Sequence, residues 1–179
     1  MSKSLGNTVD PLAFLDQYGP DGMRYFFARA KRIESDMEVD WNEVDKVCRQ
    51  ELLSGIGNLG QRLLCMLNKY NITNHDADCN LREIVVLENA IKEAYKNHDT
   101  YSYAEAVWNA TVALNKYISE QEPWKADPAS RAQILAYALS GWRQLVYWLQ
   151  PLLPHATAEW TKLISNIPAR PEPVIVFAE

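Results

Sequence analysis

The sequence predicts a mainly α-helical protein, in which a small α/β unit precedes an antiparallel bundle of four or five helices. Three observations support this fold class. Apolar residues recur every three or four positions over most of the chain, an alternating pattern is confined to one short stretch, and proline-containing turns separate the periodic runs. With 179 residues, the chain can bury most of the apolar surface of one large domain or two small ones.

The α/β unit is predicted to occupy residues 1–45. An Asp-Pro and a Pro-Asp turn signal each begin an apolar-periodic run, and the two runs predict short helices at about 11–18 and 21–30. In the stretch SDMEVDW, which ends at Trp41, apolar and acidic residues then alternate. This alternation is typical of a half-buried strand, which closes the unit.

The helical bundle is predicted to extend over residues 46–168, and residues 169–179 are predicted to form an extended tail. Further helices are expected at about 83–98 and 155–165. Four tryptophans inside helical runs are assigned to the core, namely Trp108, Trp142, Trp148 and Trp160. The apolar stripes that share one helical face are Leu52, Ile56, Leu59, Leu63, Met66 and Tyr70, then Val107, Thr111, Leu114 and Ile118, then Leu135, Leu139, Trp142, Val146 and Leu149.

The hexapeptide GIGNLG, which runs from Gly55 to Gly60, matches the glycine pattern of dinucleotide-binding loops. That pattern requires a preceding strand, whereas these glycines lie within a helical stripe, so we interpret the match as a coincidence. Each glycine costs about 1 kcal/mol in a helix interior relative to alanine. Two explanations stay open: close helix packing, or a bare surface from which Asn58 and Arg62 project on one face.

The composition excludes several classes of protein. A formal net charge of −5 argues against a broad basic face for nucleic acid, so any RNA contact must be local, and DNA is not an expected partner. No apolar run is long enough to span a membrane, and no secretory signal is present. We expect reduced thiols and no metal site, because no metal-ligand or triad spacing occurs among Cys48, Cys65, Cys79, His75, His98 and His155.

Several motifs occur together in one order along the chain: MSKSLGN, VDP, YGPDGMRYFF, DMEVDW, GNLGQR and LNKYISEQEPWK. This combination resembles the class I aminoacyl-tRNA synthetases, whose second signature loop reads KMSKS. It resembles the methionyl-tRNA synthetases in particular, whose anticodon-binding helix bundle carries the same Asn-x-x-x-Arg and Pro-Trp elements. The resemblance extends from Met1 to about Ile164.

The sequence also departs from the family pattern. The lysine that precedes the methionine of the signature loop has no counterpart before Met1, and neither the nucleotide-binding fold with its HIGH signature nor an amino-acid pocket is present. We therefore expect the chain to be the C-terminal part of a synthetase, produced by engineered truncation or excision.

The resemblance implies two functional sites. The first is an ATP-binding loop formed by Met1, Ser2, Lys3 and Ser4. Lys3 matches the second lysine of the signature, and as the catalytic residue it would stabilise charge that develops on phosphate oxygens. The second site recognises the tRNA anticodon, with Trp124 stacking on an unpaired base and Asn58 and Arg62 donating hydrogen bonds.

For the complete enzyme, the resemblance implies attachment of methionine to tRNA-Met with Mg-dependent use of ATP. Its partners would be tRNA-Met and the N-terminal catalytic domain, in the cytoplasm or the mitochondrial matrix. We expect the 179-residue chain alone to bind no ATP and to be inactive. Two alternatives stay open: the anticodon-binding part of a synthetase for leucine, isoleucine, valine or cysteine, and a non-catalytic helical interaction module.

Overall fold

The structure, a computed structural model, describes residues 10–30, 41–72 and 82–165. These residues are mainly α-helical, which confirms the predicted fold class, and none of their helices is long and apolar enough to cross a membrane. The helices are α1 (Pro11–Ala30), α2 (Trp41–Asp45), a π-helical segment (Lys46–Gly57), α3 (Asn58–Lys69), α4 (Arg82–Lys96), α5 (Thr100–Gln121), α6 (Pro128–Leu149) and α7 (Pro154–Ser165).

Helix α1 consists of two helical segments that meet at Gly19. The backbone there is not helical, with φ 68° and ψ 177°, and Pro20 begins the second segment. Glycine tolerates a positive φ, and proline is tolerated where no intrahelical N–H bond is needed. The two short helices predicted at 11–18 and 21–30 are therefore confirmed. The predicted strand lies outside the described residues except for Trp41, which is instead the first residue of α2.

A single continuous helical run extends from α2 through the π-helical segment into α3. At the junction, the Asn58 N–H donates to the Leu53 carbonyl five residues earlier, which is the bond that defines π geometry. The GIGNLG sequence is helical, as interpreted. All members of the predicted stripe in this run are buried except Tyr70, which is half-buried.

Packing against tryptophans explains two glycines of this run. A Cβ atom on Gly55 would lie 2.4 Å from Cζ3 of Trp108, and one on Gly60 would lie 2.5 Å from Cζ2 of Trp142. Real Cβ atoms do not approach other atoms this closely, because interiors are already close-packed. Close packing, and not a bare surface, therefore accounts for Gly55 and Gly60.

Helix α1 is attached to the remainder of the molecule by polar contacts as well as by the shared hydrophobic core. The Tyr25 hydroxyl donates to Oε2 of Glu51 at 2.7 Å, and Nε of Arg29 donates to the same oxygen at 3.0 Å. Burial, reinforced by the Glu51 charge, raises the pKa of Tyr25 well above its usual value. The predicted boundary between residues 45 and 46 thus falls between elements that pack together, and it stays a prediction.

Candidate nucleic-acid interface

Two of the three residues that sequence analysis assigned to the anticodon lie side by side. Arg62 lies on α3, and Trp124 lies in the turn that joins α5 to α6. The Cζ atom of Arg62 is 5.2 Å from the centre of the Trp124 ring, which is a cation–π contact. Distant parts of the sequence therefore form one local surface.

The third residue, Asn58, is the first residue of α3 and is exposed. It lies one helical turn before Arg62, so the two side chains share a face. Leu59 and Leu63 lie on the buried face of the same helix. Asn58 and Arg62 therefore lie on a less buried face of α3 than the two leucines do.

The Arg62 guanidinium is held by a second set of contacts on α5. Its Nη1 atom donates to Oδ1 of Asn115 at 3.2 Å and to Oγ of Ser119 at 3.4 Å. These two acceptors are four residues apart and therefore share a face of α5. Sequence analysis missed both, although they lie within the same LNKYISEQEPWK motif, because polar residues on a helix surface ordinarily face solvent.

The turn after α5 directs Trp124 outward. Glu122 ends the helix in the left-handed conformation, with φ 42° and ψ 56°, and its carbonyl accepts the Lys125 N–H at 2.7 Å. Pro123 is buried, whereas Trp124 is 41% exposed. A tryptophan exposed to this degree is not a core residue, so part of its ring surface is available to a ligand.

Helix α6 begins immediately after this turn with a strong N-terminal cap. The Asp127 carboxylate accepts the N–H groups of Ala129 at 3.0 Å and of Ser130 at 3.1 Å. Hydrogen bonds from the Ser130 side chain and backbone lower the pKa of Asp127 below its usual value. The cap therefore fixes the end of the segment that carries Trp124.

The residues of the ATP-binding loop, Met1, Ser2, Lys3 and Ser4, lie outside the described residues.

Within the described ranges, no cluster of three or more acidic, cysteine or histidine side chains is arranged to hold a metal ion. Cys48 and Cys65 are free thiols, and burial raises the pKa of Cys48 to about 12.

Comparisons with known proteins lead to one family. A family model described as class I tRNA synthetases (M) matches residues 1–64. A methionine–tRNA ligase from Nostoc sp. is 36% identical over 173 residues, which cover 88% of the chain and 32% of that relative. A methionine–tRNA ligase from Synechocystis sp. is 32% identical over 174 residues, which cover 89% of the chain and 32% of that relative. The chain is related to the methionyl-tRNA synthetases.

Comparison with solved structures identifies the same family. Methionyl-tRNA synthetase from Mycobacterium tuberculosis, solved in complex with methionyl-adenylate, superimposes with a TM-score of 0.80 at 25% identity. The match covers 100% of this chain and 41% of that one. The chain spans about a third of the length of the curated methionine–tRNA ligases described above. The resemblance to methionyl-tRNA synthetases found in the sequence is confirmed.

Proposed function

We propose that this chain is the C-terminal, tRNA-binding part of a methionine–tRNA ligase and that it recognises the anticodon of tRNA-Met. The observation that carries the proposal is the contact between Arg62 and Trp124, with Asn58 one turn away on the same helix. Relationship to the methionyl-tRNA synthetases supports it independently. An exposed indole beside a guanidinium and an amide suits the recognition of unpaired bases.

Each of the three side chains would have a separate role in recognition. The exposed part of the Trp124 ring would stack on an anticodon base, which is worth about 1–3 kcal/mol per base. Arg62 and Asn58 would donate hydrogen bonds to base edges or to a phosphate. These contacts are local, which explains how a chain with a net charge of −5 binds RNA.

The activity of the whole protein follows as part of the same proposal. It would attach methionine to tRNA-Met with ATP and Mg²⁺, in the cytoplasm or the mitochondrial matrix. To form a methionyl-adenylate, such as the one bound to the M. tuberculosis enzyme, the methionine carboxylate would attack the α-phosphate of ATP and pyrophosphate would leave. Negative charge would then build up on phosphate oxygens in the transition state. Lys3 would stabilise that charge.

The division of labour along the chain is likewise proposed. Residues 1–45 would carry the ATP-binding loop and contact the tRNA stem, residues 46–168 would bind the anticodon, and residues 169–179 would form an extended tail. The tRNA and the N-terminal catalytic domain of the same protein are the expected partners.

The test uses the 179-residue chain and two RNA hairpins with identical stems. One hairpin carries the methionine anticodon CAU in its loop, and the other carries the same loop bases in scrambled order. Fluorescence anisotropy at fixed salt is expected to give tighter binding of the CAU hairpin. The control variant Lys162→Gln, at an exposed lysine paired with Glu159, should keep this preference. Equal binding of both hairpins would contradict anticodon recognition.

A further inference from the structure

Arg131, in the first turns of α6, holds both sides of the turn that carries Trp124. Its Nε donates to the carbonyl of Pro123 at 2.8 Å, and its Nη2 donates to the carbonyl of Ala126 at 2.5 Å. These two carbonyls flank Trp124 in the chain. A single planar guanidinium therefore fixes the separation and direction of the two peptide groups that set the course of the turn.

The same guanidinium also contacts the residue that ends helix α3. Its Cζ atom lies 4.2 Å from the centre of the ring of Tyr70, which directly follows α3. Helix α3 carries Asn58 and Arg62. Arg131 thus links the turn that carries Trp124 with the helix that carries Arg62.

This link matters because the turn contains a residue in an unfavourable conformation. Glu122 has a positive φ without being a glycine, so the surrounding contacts must hold it there. Lys125 contacts Glu122 through its backbone N–H and its ammonium group, and the Asp127 cap fixes the end of the segment. The two bonds from Arg131 are the side-chain contacts to the carbonyls on both sides of Trp124. Without the guanidinium, Trp124 would sample more orientations, and a base would have to order it on binding.

We propose that Arg131 is a positioning residue, which sets Trp124 against Arg62 and thereby determines selectivity for the anticodon. The proposal rests on the proposed function but adds a residue to which neither the motifs nor the comparisons assign a role. Arg131 itself need not touch RNA, because its donors already bind the turn. Lysine cannot replace it, since one ammonium group cannot bond both carbonyls and also lie over the Tyr70 ring as the guanidinium does.

The first experiment follows Trp124 without RNA. In the chain labelled with 5-fluorotryptophan, the Trp124 resonance is identified by its loss in Trp124→Phe. Arg131→Lys is expected to shift or broaden this fluorine resonance while the other five stay in place. The matched control is Arg49→Lys. Arg49 is an exposed arginine of the π-helical segment that is paired with Asp45, and its substitution should leave the Trp124 resonance unchanged.

The outcomes of this experiment are decisive in both directions. An unchanged Trp124 resonance in a folded Arg131→Lys variant would overturn the proposal. If Arg131→Lys fails to fold by circular dichroism, Tyr70→Leu provides the test, because it removes the ring beneath the guanidinium and leaves the carbonyl bonds. A shifted Trp124 resonance in Tyr70→Leu would support the positioning role of Arg131. An unchanged Trp124 resonance would contradict it.

The second experiment measures selectivity with the CAU and scrambled hairpins. Arg131→Lys is expected to reduce the preference for CAU about 5-fold or more, whereas Arg49→Lys should keep it. If Trp124 moves but the preference stays at the wild-type value, Arg131 has no role in selectivity and the proposal is wrong. If the wild-type chain itself shows no preference, the proposed function fails, and the fluorine measurement still decides whether Arg131 positions Trp124.

Discussion

Two tryptophans lie against helix α3, and they differ in almost every physical respect. Trp142 is fully buried, packs on Gly60, and makes an edge-to-face contact with Trp160 at 5.1 Å. Trp124 is 41% exposed and packs beside the Arg62 guanidinium. Since a helix turns about 100° per residue, positions 60 and 62 point about 200° apart. The two rings therefore lie on nearly opposite faces of one helix, one buried and one partly exposed.

The residue of α3 that each ring contacts determines whether the ring is buried or stays accessible to a ligand. A glycine lets the Trp142 ring approach the backbone and removes it from water, so this contact contributes to folding. An arginine keeps a charge beside the Trp124 ring, so the site stays polar and accessible. We expect variants of the first face to change stability and variants of the second to change RNA binding.

The largest effect is expected for Trp142→Ala. Removal of a fully buried tryptophan costs about 3–5 kcal/mol, because burial is lost and a cavity is left. The free energy of unfolding from urea titration followed by circular dichroism measures it. The comparison variant Trp124→Ala should lose less than about 1 kcal/mol, since its ring is partly exposed. Equal losses would contradict the distinction between the two faces.

For RNA binding the order should reverse. Trp124→Ala is expected to weaken binding of the CAU hairpin by about 1–3 kcal/mol, or roughly 5- to 150-fold, because the stacking surface is lost. The anisotropy titration is interpreted only for protein that circular dichroism reports as folded. If this variant folds and still binds the CAU hairpin with the wild-type affinity, Trp124 is a packing residue and the site is misplaced.

The glycine contact can be tested separately with Gly60→Ala. Alanine gains about 1 kcal/mol in helix propensity, but its Cβ must displace the Trp142 ring, which costs about 1–3 kcal/mol. We therefore expect a net loss of stability of about 1 kcal/mol, with RNA selectivity unchanged. In a Trp142→Phe background, Gly60→Ala should cost less stability than it does in the wild-type chain, because the smaller ring frees space for the Cβ atom. A purely additive double variant would contradict direct contact.

The smallest effect is expected for Arg62→Ala. It removes the cation beside Trp124 and the hydrogen bonds to Asn115 and Ser119, at a half-buried position near the surface where each contact contributes modestly. The ratio of the affinities for the CAU and scrambled hairpins should fall about 5-fold, or roughly 1 kcal/mol. Lys162→Gln is the control. If the affinities fall but their ratio does not change, Arg62 contacts only phosphate and does not contribute to anticodon selectivity.

Much of the fold was predictable because it depends on local periodicity. The stripe from Leu52 to Met66 and the stripes in α5 and α6 are buried as predicted. The reason for the glycines was left open, because a sequence does not reveal which side chain approaches a helix from another element. Only the tertiary arrangement brings Trp108 to Gly55 and Trp142 to Gly60.

The candidate site was predictable only in part. Asn58, Arg62 and Trp124 came from motifs that resemble a family, not from periodicity, and nothing local indicates that Arg62 contacts Trp124. Arg131 carries no sequence signal at all. A single arginine in the first turns of a helix is ordinary, and its role depends on two carbonyls and one ring that the fold brings to it.

The central claim is that Arg62 and Trp124 form one recognition site, and a double-mutant cycle tests it most directly. Affinities for the CAU hairpin are measured for the wild-type chain, Arg62→Ala, Trp124→Ala and the double variant. Residues that act together should be non-additive, so the double variant should lose at least about 0.5 kcal/mol less than the sum of the single losses. Additive losses would contradict the claim, because the two side chains would then bind RNA independently.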